Sequence, residues 1–291
     1  MIKTSAYGIY DISLDGGKTF IHHQKNLILN HYYNKTFLTE AITIVVGGGN
    51  TPPQLTDDFL VAEFGSATEP LGFDPSSENK VFTDRFEIKY IKLFDLGVGY
   101  AGTMRELGIE NPSLCSRALL STPTGVPTQV TLVHADHLVI RYSIVYVIPR
   151  TPQVFALTIN GTPVNATMTA VNGEFNGWGK RVLGEVVRYD YIGSAAAGTW
   201  TIDANGNVIG GNIAWSEAIP ITTNVNGIAG LSIVGTAMVP TDKWNGSFQQ
   251  LLITSSGVDY ITAPILIDLD VPVLKSATDI LNISVNVNQS I

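Results

Sequence analysis

Cysteine is almost missing from this 291-residue chain. Cys115 stands alone, so no internal disulfide can form, and stability must come from packing, with subunit contacts as a second candidate source. Beside Leu114, Leu119 and Leu120 it reads as a small buried hydrophobe rather than a reactive thiol. Charge is scarce too: Asp, Glu, Lys and Arg make up 14% of residues, with a net charge of −8 and a pI near 5.0. No basic run occurs, and an acidic chain without clustered Lys and Arg is unsuited to a phosphate backbone, which argues against nucleic acid as a partner. No stretch approaches the roughly 18 apolar residues of a membrane span. The opening residues hold no apolar core of a secretory signal, so the expectation is synthesis in the cytoplasm without membrane insertion.

What is plentiful is Gly, Thr, Asn, Val and Ile, in short alternating runs divided by turn residues, the mark of an all-β chain. The central stretch is 105–149. Within it Leu138, Ile140, Tyr142, Ile144 and Tyr146 share one parity and Val139, Arg141, Ser143 and Val145 the other, which predicts a long strand with one apolar and one mixed face. Residues 129–133 alternate likewise, and Ala135-Asp136 can turn between the two, giving a meander as the spine of a sheet. Residues 6–14 predict a strand, Asp15-Gly16-Gly17 a hairpin turn and 18–22 the return strand. Residues 26–33 read as a short helix or an extended segment, 56–63 as a short helix, and 81–94 as one long amphipathic strand with charges outward.

The second half has its own turns. Asn160-Gly161 follows the run 154–159 and is a type I′ hairpin signal, and residues 204–206 join two further short strands. Residues 265–271 place Ile265, Ile267, Leu269 and Val271 inward and Asp268 and Asp270 outward. The predicted class is all-β, an antiparallel β-sandwich or jelly-roll-like fold of two packed β domains, 1–149 and 150–291, with one or two short helices. Pro149 to Pro152 marks either that domain junction or a link between two sheets of one large sandwich.

Three pieces carry a family resemblance: Asn26-Leu-Ile-Leu-Asn30, Val45-Val-Gly-Gly-Gly-Asn-Thr-Pro-Pro53, and Glu106-Leu-Gly-Ile109 with Leu114-Cys-Ser-Arg-Ala-Leu-Leu120. In order and spacing they resemble a group of tailed-bacteriophage virion proteins, described as tail- or capsid-associated. There an N-L-I segment precedes a V-G-x-G-x-x-x-P loop, and an E-x-G block with S-R-A-L follows. Segments 157–164, 247–254 and 278–285 resemble the group's later strands, so the likeness spans most of the chain. Cys115 replaces an aromatic residue of the group, a difference of packing. The resemblance implies a non-enzymatic virion component and transfers no catalytic residue.

Residues that could be mistaken for a site fail on spacing. His134 and His137 flank Asp136 in a turn that splays them, and no Cys or third His is near. His22 and His23 point to opposite strand faces. Asp268 and Asp270 share a face as a glycosidase or calcium pair would, yet lack a further acidic cluster. Ser116 has no G-x-S-x-G elbow, and Gly47 to Gly49 no phosphate-loop lysine. No catalytic, cofactor-binding or metal-ligating residue is therefore assigned, and no cofactor is expected. Trp178, Tyr189, Tyr191, Trp215 and Trp244 lie in or beside Gly/Asn-rich turns. They plug the ends of a sandwich, anchor a protein interface, or stack on a glycan. The expectation is a virion structural protein, assembling as a homo-oligomer with other virion proteins on the tail, neck/collar or tail fibre. The alternatives are a capsid-decorating protein or a receptor-binding module for a host surface glycan.

Overall fold

Alternation in the central stretch becomes the middle strand of a sheet. The structure, a computed structural model, describes residues 3–29, 42–68, 76–171, 191–210, 218–226, 232–254 and 265–289. Strands β1 (Lys3–Ser13), β12 (Leu138–Pro149), β7 (Arg85–Gly97) and β6 (Ser76–Val81) lie side by side and antiparallel, with β2 (His22–Lys25) on the other edge of β1. Leu138, Ile140, Tyr142 and Ile144 are buried, as their parity predicts. Val139, Ser143 and Val145 are buried as well, so the mixed face of β12 is covered too.

A second sheet packs on the first. Its order is β3 (Leu27–Ile28), β10 (Ser113–Leu119), β9 (Glu106–Asn111), β4 (Thr43–Gly47) and β5 (Glu63–Thr68). Tyr10, Phe94, Ile140 and Tyr142 from the first sheet share one core with Ile44, Leu107, Ile109 and Cys115 from the second. The rings of Tyr10 and Tyr142 lie 4.8 Å apart, and the Tyr10 hydroxyl meets the Ser116 hydroxyl at 2.5 Å. Cys115 is fully buried.

The described strands between 153 and 289 form the remaining large assembly. Strands β13 (Gln153–Ile159), β14 (Thr162–Ala170), β21 (Ile265–Lys275), β20 (Gly246–Thr254), β15 (Tyr191–Ala195), β18 (Ile219–Asn226), β19 (Ser232–Val239) and β22 (Leu281–Gln289) follow one another, and β22 pairs back onto β13. The result is an antiparallel, barrel-like sheet, closed where Thr158 and Ile159 pair with Ser284 and Ile283. Pairing is nested, β13 with β22, β14 with β21, β15 with β20 and β18 with β19, as in a jelly roll. Asn160 and Gly161 have φ of 49° and 78°, the type I′ turn read from their sequence. The short hairpin β16 (Thr201–Ile202) and β17 (Val208–Ile209) turns at 203–207, also as expected. The barrel joins the first sheet through parallel pairing of Lys3 with Asn288 and Thr4 with Gln289. Arg150 ties the halves further, donating to the carbonyls of Phe82 (2.7 Å) and Ala204 (3.3 Å).

Five local expectations need correction. The return strand expected at 18–22 starts only at His22, where β2 begins, and 18–21 are bend and coil. Among the described residues there is no helix: 56–62 are turns and coil leading into β5, Leu27–Ile28 is extended, and 30–33 lie outside the described residues. The 81–94 run is cut by a turn at 82–84, where Phe82 N–H donates to the Arg85 carbonyl, so β6 and β7 form a hairpin. The turn at Ala135-Asp136 exists, yet no meander results: β11 (Val130–Leu132) pairs with β8 (Gly102–Met104), because both edges of β12 are occupied by β1 and β7. Val271 is 57% exposed rather than inward. Gln250 pairs with Asp268 and Phe248 with Val273, so β21 bulges around Pro272, which has no N–H for the ladder.

Candidate functional site

The pieces that carry the resemblance meet at one place, on the outer face of the five-stranded sheet. Leu107 and Ile109 of β9 point into the core, so pleating turns Glu106 and Gly108 to the opposite face. Arg117 of β10 lies directly across from Gly108. Glu106 is fully buried and Arg117 is 1% exposed. The Arg117 guanidinium donates to Glu106 Oε2 at 3.0 and 2.6 Å, to Asp57 Oδ2 at 2.7 Å and to the Thr51 carbonyl at 2.9 Å. The other Glu106 oxygen accepts the Gly49 and Ala62 N–H groups, both at 3.0 Å.

Every part of this clamp has a physical reason. Charges taken out of water are tolerable only when paired and fully hydrogen-bonded, as they are here. Burial works against the Arg117 charge, but its bonds to Asp57 and Glu106 outweigh that and hold the guanidinium above its ordinary range. Gly47 and Gly49 let the backbone approach the carboxylate closely: a Cβ on Gly47 would lie 2.7 Å from Glu106 Oε1, and one on Gly49 would collide with the same atom. The glycines therefore serve an ion pair. Leu60 closes over Leu29, Val45 and Leu114 beside it.

The clamp ties residues 48–62 down as a strap at Gly49, Thr51, Asp57 and Ala62. On it and on the adjoining edge strand β5 stand Leu55, Phe59, Val61 and Phe64, exposed by 41, 70, 56 and 39%. A run of large apolar groups held in water on a fixed support suits a protein interface.

The two described aromatic candidates, Trp244 and Tyr191, lie apart. Trp244 is 8% exposed and packs edge-on against Phe248 at 5.7 Å. Its loop is pinned by the buried Lys275, whose ammonium donates to the Thr241 carbonyl, Asn245 Oδ1 and the Ser276 carbonyl at 3.1–3.3 Å. Tyr191 is half-buried in β15, opposite Thr254 at the far end of β20 from Trp244. Trp178, Tyr189 and Trp215 lie outside the described residues. Trp200, not singled out in the sequence, is buried over Leu252 and Leu266, its backbone held by the Gln250 amide at 2.8 and 3.0 Å.

The polar candidates go to separate partners. His137 Nε2 meets Asp95 Oδ1 at 2.8 Å and His134 Nδ1 the Gly99 carbonyl at 2.8 Å. His23 Nδ1 lies 2.8 Å from Asp11, which also accepts from Arg141. Asp268 accepts from Gln250 at 2.7 Å, whereas Asp270 is exposed. Among the described residues no three His, Cys, Asp or Glu side chains are grouped to hold a metal.

Sequence reasoning missed Glu106, Arg117 and Asp57 as a unit. The available signal was Arg117 inside the apolar block 114–120 of a chain poor in charge, since a cation there demands a buried anion. Compared with family models, curated proteins and solved structures, the chain matches none.

Proposed function

We propose that this chain is a non-enzymatic structural subunit of a tailed-bacteriophage virion, acting as a homo-oligomer on the tail, neck/collar or tail fibre. One observation carries the reading. Gly47, Gly49, Glu106 and Arg117, which belong to the motifs of the resemblance, converge on a buried clamp that braces a strap with Leu55, Phe59, Val61 and Phe64 in solvent. A braced apolar surface is a device for docking to another protein.

Light scattering after size exclusion tests it. The expected result is a closed oligomer, with Phe59→Asp/Val61→Asp lowering the mass while the thermal midpoint of the isolated subunit is unchanged. A wild-type monomer that also fails to join virion particles in a reconstitution assay would refute the reading.

A further inference from the structure

Four neighbouring barrel strands bring a hydroxyl residue to the same level. Thr222 of β18 stands opposite Thr236 of β19, Thr236 opposite Ser284 of β22, and Ser284 opposite Thr158 of β13. Ile159, Ala237 and Ile283, their neighbours along the chain, are buried in the barrel core, so pleating turns the four hydroxyl residues outward. Thr222 and Thr236 are exposed, and Thr158 and Ser284 are half-buried. The next level outward holds Met238, 63% exposed, in register with Asn282. With Pro220, Gly161 and Lys243 these residues line a groove of about 700 Å³.

We propose that this groove binds a neutral, linear oligosaccharide lying along the hydroxyl row. Adjacent strands are about 4.8 Å apart, so the row extends about 14 Å with an evenly repeated polar group. That interval is close to the length of one pyranose unit in an extended chain. A hydroxyl both donates and accepts, as a sugar hydroxyl does, so each level of the row can exchange hydrogen bonds with one sugar unit. Thr236 Oγ1 donates to the Thr222 carbonyl at 3.4 Å, which leaves its oxygen as an acceptor toward the groove. Met238 and Pro220 supply apolar surface for the C–H face of a ring, and the volume is that of a ligand site. Among the described residues Lys243 is the one charged residue of the lining, so a polyanion would find little counter-charge there. The groove is on the barrel and the apolar strap on the five-stranded sheet, so this site stands independently of the assembly reading.

Saturation-transfer NMR and titration calorimetry of the full chain with cellotetraose, maltotetraose and chitotetraose test the site. The expected result is transfer to at least one of them, with affinity reduced more than tenfold in Thr222→Val/Thr236→Val, at about fivefold per hydroxyl. Thr236→Ser keeps the hydroxyl and should retain binding. Valine suits a strand, and an unchanged thermal midpoint will show that each variant is folded. Three results would overturn the proposal: no transfer from any probe, undiminished binding by the double variant, or a double variant that changes only the oligomeric mass, which would make the row a protein contact.

Discussion

Glu106 and Arg117 show how one pair of residues can govern a whole segment. Glu106→Gln leaves the Arg117 charge buried with too little compensation, and the expected loss is about 3–5 kcal/mol in denaturant unfolding. Glu106→Gln/Arg117→Met removes both charges and should recover part of that loss, a non-additivity that a double-mutant cycle measures. The buried phenols Tyr10 and Tyr142 make a second residue-scale prediction. Burial raises Tyr10 well above the ordinary value of 10.0 and pushes Tyr142 up to about 12. A raised folded-state value means the unfolded chain releases its proton first. The stabilisation is therefore complete below pH 10 and is lost as pH rises towards 12. The thermal midpoint of the wild type should fall more steeply across that window than that of Tyr142→Phe; parallel curves would refute the assignment.

At the level of elements, strands with strict alternation and specific turn residues were legible. Asn160-Gly161 is the clearest: only its backbone geometry is needed, and that geometry is local. Asn160 also accepts the Asn282 N–H at 2.8 Å, linking the turn to the last strand. Asn160→Val places a β-branched residue at φ 49° and breaks this bond, with an expected cost of about 2–3 kcal/mol; Asn160→Gly loses the bond alone, at about 1 kcal/mol. Chemical denaturation will separate the two. Elements whose ends depend on distant partners were not legible. The helix expected at 56–63 is absent because Asp57 and the Ala62 N–H are drawn to the clamp. Val271 faces water because a register shift between β20 and β21 turns it out.

For the molecule as a whole, composition alone pointed to an all-β class. Few charges, one cysteine and frequent β-branched residues leave packed antiparallel sheets as the way to bury so much apolar surface. Periodicity and turn chemistry are short-range, so they determined the strands around 6–13, 138–149, 154–159 and 265–271 and where the hairpins at 160–161 and 203–207 reverse. Which strands become neighbours is a long-range choice among edges of similar chemistry, and only the tertiary structure decided it. That choice closes the barrel, sends β11 to β8 instead of β12, buries Glu106 against Arg117 across a β-strand pair, and lines up Thr222, Thr236, Ser284 and Thr158 from four separate parts of the chain. Each of these depends on register between strands far apart in sequence, where no short turn sets it and a slip of one residue moves every side chain to the other face.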